Sequence, residues 1–458
     1  MQHIDNFKNG HVHFIGIGGA SMSGLADILL DTGYRVSGSD IADGPILEHL
    51  RAHGAHVHVG HAAAQVNGAA LVVYTAAISR NNPELMAAKR EGIPVMDRAT
   101  LLGQLMAKSP VAIGVSGAHG KTTTTSLIAT ILELAGKDPT IHIGGYLDVI
   151  DGNTKSGRGD CFVAEACEYV DGFLKLRPNI AVILNIDADH LDYFRDIDHI
   201  QQSFTRYARL VPKEGCLIVN GDDERAMAVA ASVDCGVSCF SLENTACEWY
   251  ATGIAFDAAG CPSFTVFHHG AEFGRFKLAI PGRHHVYNAL AAMAATHICH
   301  VTAEDVARGL ATFHGAGRRF ETMGFCGGAR IVQDYAHHPH EVQALLDTAE
   351  LQRPGRIIAI FQPHTYSRTL NLFDQFTSAF DKADLTIITD IYAAREKDPG
   401  TIHARHLVDA IRRCGKQCLY IPAFEDIVSH VKHICRKDDL VLVIGAGTIN
   451  NLSPMLVE

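Results

Sequence analysis

Residues 111–136 read VAIGVSGAHGKTTTTSLIATILELAG, and this stretch decides the fold class. It opens on β-branched and small apolar residues that suit a buried strand, passes through a glycine turn and continues into a threonine-rich helix. At the turn stands Gly117-Ala118-His119-Gly120-Lys121-Thr122. Glycines let backbone N–H groups turn toward phosphate oxygens, and the helix N-terminus adds its dipole. Lys121 can then reach the β and γ phosphates, and Thr122 can offer its hydroxyl to Mg²⁺. Together with Thr123, these six residues are the expected cradle of a nucleoside triphosphate. The spacing departs from G-x-x-x-x-G-K-[ST], because Val115 stands five before Gly120 and the nearest upstream glycines are Gly114 and Gly117. A tight turn ahead of an ordinary helix is the alternative, and the strand-to-helix context argues against it.

On either side the same strand-and-helix grammar recurs. Upstream, HVHFIGIGG, YRVSGSD, AHVHVG, ALVVYTAA and IPVMD read as strands separated by helical stretches, a pattern that implies a doubly wound parallel sheet. Downstream of residue 316, ARIVQDY, RIIAIFQ, LTIITD and LVLVIGAG repeat it. The 458 residues exceed one ordinary core, and the expected division is 1–108, 109–315 and 316–458. That gives an α/β chain of three domains. The first is Rossmann-like, the second is a P-loop ATPase type with a mainly parallel sheet, and the third is again Rossmann-like.

Composition narrows the function classes. A formal charge of −11 argues against a general nucleic-acid or anionic-membrane surface, while leaving room for a local basic pocket. No apolar run reaches the ~18–20 residues of a membrane span, and MQHIDNFKNGH lacks the layout of a signal peptide, so the expected address is the cytoplasm. The 12 cysteines form no CxxC pair and read as free thiols.

The phosphate loop is followed in order by AEACE, NIDADHLD, PGRHHVYNALAA, GRRFE and DYAHHP. A chain with this ordered set resembles the Mur ligases over essentially its whole length. GIGGASMSG, FQPHTYSRT and IYAAREKDPG resemble more narrowly the branch that adds L-alanine to UDP-N-acetylmuramate. The resemblance implies an ATP- and Mg²⁺-dependent ligase, with Mn²⁺ as a possible substitute, whose partners are that sugar nucleotide and L-alanine. Its expected metal residues are Glu165 and His190 beside Thr122, with Glu168 and Asp189 as nearby competitors. Both Glu165 and His190 close strand-end segments, where ligands of open parallel sheets gather. Asn288 is implied for the adenine, after a position, His285, that is often asparagine in relatives. Arg319 and Asp334 are implied for the nucleotide, Arg319 as a charge on the transferring phosphoryl group. His337, His364 and Arg368 are implied at the amino-acid site, with Thr365 where some relatives carry a second arginine.

At the start of the chain Gly16 and Gly18 follow a strand, Ser21 replaces the third glycine of the dinucleotide fingerprint, and Asp40 closes the next strand. Read alone, this loop also suits an NAD(P)-dependent oxidoreductase, a reading that leaves GKT, Glu165 and Arg319 unexplained. With the resemblance it becomes a cradle for the diphosphate of a UDP-sugar, formed by Gly16, Gly18, Gly19, Ala20 and Ser21. Ser39 and Asp40 then lie near the nucleoside, and Arg98 borders the pocket. A ligase that attaches a preformed murein peptide shares these first two domains, and acceptor preference separates it.

Overall fold

The computed structural model describes residues 2–75 and 77–457. Its chain forms two compact units. One comprises the residues through Ile186 with Gln201–Phe240 and Ala291–Gly309, and the other comprises Asp187–Ile200, Ser241–Leu290 and the residues from Leu310.

The first unit opens with a five-stranded parallel sheet ordered His56–Val59, Arg35–Asp40, His11–Ile15, Leu71–Tyr74, Val95–Asp97. The chain builds outward from His11–Ile15 in one direction and then returns to its other side. That reversal leaves a crevice at the carboxyl end of this strand. There Gly16–Gly19 leads into the helix Ala20–Asp31.

The same unit holds seven strands ordered Gly236–Ser241, Cys216–Asn220, Ile180–Ile183, Val111–Ser116, Cys161–Glu165, Thr140–Leu147 and Gly152–Lys155. All pairings are parallel except the last. Val111–Ser116 lies inside this sheet with its Ala112, Ile113 and Val115 at 0% exposure, which is why it reads as an unbroken apolar run. The helix Lys121–Leu134 follows, and Gly120 caps it in the left-handed region at φ 83°.

In the second unit Trp249–Phe256, Pro262–His268 and Ala271–Lys277 form an antiparallel meander. A six-stranded sheet follows, ordered Glu321–Cys326, Ala329–Asp334, Leu440–Ile444, Ile357–Phe361, Leu385–Ile388, Cys418–Tyr420, antiparallel only at its first pair. Its central strands carry Ile358, Ile360, Val441 and Val443 toward one face and Ala359, Phe361, Leu442 and Ile444 toward the other, all at 0% exposure. Asp334 ends the strand Ala329–Asp334, and His364 lies three residues beyond the buried strand Ile357–Phe361. No helix among the described residues is long and apolar enough to cross a membrane.

Candidate active site

The phosphate loop is held in place before any ligand arrives. Gly117 has φ 146°, and a Cβ there would lie 3.0 Å from the Leu184 Cβ and 3.2 Å from the Asn185 nitrogen, so the position admits only glycine. The backbone N–H of His119 donates to the Asn185 side-chain oxygen at 2.8 Å, and the Asn185 amide donates back to the His119 carbonyl at 3.1 Å. The Ala118 N–H donates to the Asn185 carbonyl at 3.3 Å. Asn185 thus clamps the middle of the loop from both sides, an arrangement that pre-orients its remaining amides.

Lys121 folds back over this loop. Its Nζ donates to the carbonyls of Gly117 at 2.5 Å and Ala118 at 3.1 Å, and it pairs with Glu168 at 3.0 Å. Glu168 is buried at 2% exposure, so it sets the resting position of the lysine. Glu165 closes the strand Cys161–Glu165 level with Val115, two residues before the loop. One of its carboxylate oxygens accepts the Gly144 N–H at 2.7 Å. Thr122 is half-buried at the first turn of the helix, while Thr123 is buried.

At the first loop, Gly16 stands at φ 79°, and the N–H groups of Gly16 and Ile17 donate to the Ser39 carbonyl at 2.8 and 3.0 Å. Asp40 accepts the Gly18 N–H at 2.8 Å, and a Cβ on Gly18 would lie 2.6 Å from Leu47. Gly19 is the N-cap of the helix and supplies no side-chain cap, which leaves the first-turn amides of Ala20 and Ser21 for an anion. The Ser21 hydroxyl accepts from Arg98 at 2.7 Å and bonds to His142 at 2.7 Å. His142 is buried, and burial followed by the Arg98 charge pushes its pKa down to about 3, so it bonds as a neutral imidazole. The Ser39 hydroxyl is turned inward, donating to the buried Glu84 at 2.6 Å. Only the Ser39 backbone supports the loop, and Asp40 is the outward-facing residue of the pair.

The second unit gathers a separate constellation. Arg368 donates to one oxygen of Asp189 from Nε at 3.1 Å and from Nη2 at 2.7 Å, and its Nη1 lies 3.0 Å from His364 Nδ1. His337 and His364 have ring centroids 5.8 Å apart, and His337 bonds to the Tyr335 carbonyl at 3.0 Å. Burial, reinforced by His337 and Arg368, lowers the His364 pKa to about 3. Burial alone would raise the Asp189 carboxyl, but the charges of His190, Arg368 and His337 hold it well below the usual carboxylate range. His190 follows at φ 54° in the left-handed region, its imidazole 3.8 Å from Asp189. His338 is fully buried as the N-cap of the helix Pro339–Leu351, so only His337 of that pair faces His364.

Arg318 and Arg319 both lie over the Tyr335 ring, at 4.7 and 5.2 Å. Asp334 accepts the N–H of Phe320 at 2.8 Å and of Ala336 at 2.7 Å, while burial raises its pKa. Asn288, at 5% exposure, donates to His285 at 3.1 Å in the first turns of the helix His284–Ile298. Thr365 caps the short helix Tyr366–Asn371 by accepting the Arg368 N–H at 3.3 Å.

Three family models match consecutive segments. They are the catalytic domain of the Mur ligase family over residues 11–110, the Mur ligase middle domain over 115–296 and the Mur ligase glutamate ligase domain over 318–447. The UDP-N-acetylmuramate–L-alanine ligase of Caldanaerobacter subterraneus is 50% identical over 99% of both chains. The chain belongs to the Mur ligase family. This Mur ligase is also 47% identical to the UDP-N-acetylmuramate–L-alanine ligase of Acetivibrio thermocellus, over 99% of its own length and 97% of that chain. The crystal structure of the UDP-N-acetylmuramate-alanine ligase from Thermotoga maritima matches it with a TM-score of 0.81 at 26% identity, covering 98% of each chain.

Two residues of this Mur ligase's site are not singled out by the sequence. Asn185 sits in NIDADH, yet its role appears only when the strand Ile180–Ile183 is placed beside Val111–Ser116. His142 lies in TIHIGGYL, 121 residues from the serine it touches. The one available signal was a histidine on an otherwise apolar strand, and such a histidine is more often a satisfied core residue.

Proposed function

We propose that this Mur ligase joins L-alanine to the lactyl carboxylate of UDP-N-acetylmuramate with cleavage of ATP to ADP and phosphate, a step of peptidoglycan precursor synthesis in the cytoplasm. The observation that carries the reading is the likeness of 50% and 47% across 99% of this chain to ligases of that specificity. A phosphate loop pre-formed around Asn185, with a lysine resting on it, supports the nucleotide half. We retain 1–108, 109–315 and 316–458 as the division into a sugar-nucleotide domain, an ATP domain and an amino-acid domain. The gaps between the matched segments, 110 to 115 and 296 to 318, support it.

The carboxylate attacks the γ-phosphorus, the bond to the β-bridging oxygen breaks, and an acyl phosphate and ADP result. The alanine amine then adds to the carbonyl and inorganic phosphate leaves with one former carboxylate oxygen. Lys121 moves from its carbonyl contacts onto the phosphates, and Arg319 supplies a second positive charge to the transferring group. The amides of Gly117, Gly120, Thr122 and Thr123 hold the phosphates, Ala118 and His119 shape the loop through their bonds to Asn185, and Asn288 is assigned to the adenine and Asp334 to the nucleotide. The first-turn amides around Gly19–Ser21 hold the sugar-nucleotide diphosphate, with Gly16, Gly18, Ser39, Asp40 and Arg98 shaping that pocket. His337, His364 and Arg368 receive the amino acid.

A hard divalent cation fits the donors present. The Gly144 N–H engages one Glu165 oxygen, the second is oriented by the same bond, and Thr122 offers a hydroxyl. Thr122, Glu165 and His190 are assigned to Mg²⁺, which Mn²⁺ can replace. When bound, the ion neutralises phosphate charge and polarises the γ-phosphoryl group. The partners are UDP-N-acetylmuramate and L-alanine, with no nucleic acid or membrane surface, in keeping with a net charge of −11.

The test is phosphate release by the full chain with ATP, Mg²⁺ and UDP-N-acetylmuramate against L-alanine, glycine, L-serine and a murein tripeptide. L-alanine is expected to give the highest kcat/KM. Preference for the tripeptide would make this a peptide-recycling ligase instead.

A further inference from the structure

Away from the substrate loops, two helices of the first unit present a four-residue cluster that the ligase reaction does not use. Asp27 and Asp31 are one turn apart on the helix Ala20–Asp31, and His49 and His53 are one turn apart on the helix Pro45–Ala52 and its C-cap. Such pairs share a helix face, and here the two faces meet. His49 Nε2 lies 3.2 Å and His53 Nδ1 2.7 Å from the same oxygen of Asp27. The other nitrogen of His53 lies 3.0 Å from Asp31. Among the described residues, neither carboxylate has a lysine or arginine partner.

We propose that Asp27, His49 and His53 form a surface site for one divalent transition-metal ion of the zinc class, with Asp31 as the residue that orients His53. A tetrahedral ion with bonds of about 2.0–2.2 Å spaces its ligand atoms about 3.4 Å apart. The donor atoms Asp27, His49 and His53 all lie within 4.8 Å of one another, so small side-chain rotations at the surface bring them to that spacing. Asp31 accepting from Nε2–H fixes the tautomer that leaves Nδ1 of His53 lone-paired toward the ion, the carboxylate–histidine–metal relay of many zinc sites. Two imidazoles and one carboxylate select zinc, cobalt or nickel over magnesium, which prefers oxygen donors and retained water. The fourth position belongs to water, since the His49 side chain is 62% exposed.

The ion would clip together two helices that border the diphosphate loop. The first begins at Gly19, and the second carries Leu47, which packs against Gly18. Metal occupancy therefore stiffens the first domain, a readout independent of turnover.

The test uses the full chain, stripped with a chelator, titrated with Co²⁺ followed by visible absorption and with Zn²⁺ against a chromophoric competitor. The wild type is expected to bind one more equivalent of Zn²⁺ than His49→Ala/His53→Ala and to show the absorption of four-coordinate Co²⁺. Zinc is expected to raise the Tm of the wild type and not that of the double variant. Other metal-binding groups are common to both proteins and cancel in the difference. Asp31→Asn is expected to keep the extra equivalent with affinity weakened roughly 10- to 100-fold. Equal stoichiometry in wild type and double variant, both folded by circular dichroism, overturns the site. An unchanged affinity in Asp31→Asn overturns the orienting role.

Discussion

Arg368→Ala probes two properties at once, because the structure gives this side chain a structural partner as well as a proposed substrate. Its side chain is 10% exposed, and that of Asp189, to which it donates two hydrogen bonds, is 7% exposed. Removing the arginine leaves a buried carboxylate with only histidines around it. Breaking a buried pair in this way costs about 3–5 kcal/mol. The fall in Tm, at about 2–4 °C per kcal/mol for a unit of 150–250 residues, is then roughly 6–20 °C. Arg368→Ala/Asp189→Asn removes the orphaned charge and is expected to recover a large part of that loss. Kinetics read the second property. A charge-assisted pair with the alanine carboxylate is worth ~1.5–3 kcal/mol, so the KM for L-alanine should rise about tenfold or more while that for ATP hardly moves. Thermal unfolding and both Michaelis constants are measured on one preparation below its lowered Tm. A Tm within a degree of wild type would refute the buried pair. An unchanged alanine KM would remove Arg368 from the amino-acid site, and a changed ATP constant alone would assign it to phosphate.

Lys121→Ala is expected to stay folded and lose nearly all turnover; retention of more than about a tenth of the wild-type rate would contradict its role on the transferring phosphoryl group. Glu165→Gln should bind UDP-N-acetylmuramate with near-native affinity in calorimetry yet form no acyl phosphate, whereas an active Glu165→Gln beside an inactive Glu168→Gln would move the metal role to Glu168. His142 is held near a pKa of about 3 by burial and the Arg98 charge, below the ~6.5 of an unfolded histidine. The unfolded chain therefore binds a proton that the folded chain refuses. The stabilisation is full above pH 6.5 and is lost as pH falls toward 3, at up to ~1.4 kcal/mol per pH unit. In urea unfolding between pH 7 and 4.5, His142→Gln should show a shallower loss than wild type; parallel curves would mean that His142 is protonated in the fold.

Much of the scaffold was legible because short-range rules wrote it. The phosphate loop needs glycine at Gly117 and Gly120 for reasons of backbone conformation, and the strand before it is buried on both faces, so both left a signature in the sequence. The central strands of the first and last sheets, such as His11–Ile15 and Leu440–Ile444, were legible for the same reason. The antiparallel meander from Trp249 to Lys277 was not. Gly253 and the register shifts interrupt the alternation of its strands, which blurs the period-2 signal. The run SRTLNLFDQF reads as one helix, yet the structure breaks it at Leu372, where φ −110° and ψ 22° leave the helical region. In the site, the resemblance pointed to Arg368 and His364 together, and the structure does bring them into contact. It gave no warning that Ser39 would turn inward to Glu84, because that choice depends on a carboxylate 45 residues away. Asn185 and His142 escaped for the same reason, since contacts made by tertiary packing have no local pattern.

The central claim is the transfer of one carboxylate oxygen to phosphate on the way to the amide. UDP-N-acetylmuramate carrying ¹⁸O in both oxygens of its lactyl carboxylate, incubated with ATP, Mg²⁺, L-alanine and the full chain, tests it by mass spectrometry of the products. One ¹⁸O in the released phosphate for each amide formed, with one retained in the amide, is the predicted result. Amide formed alongside unlabelled phosphate, or phosphate released at the same rate without L-alanine, would contradict it.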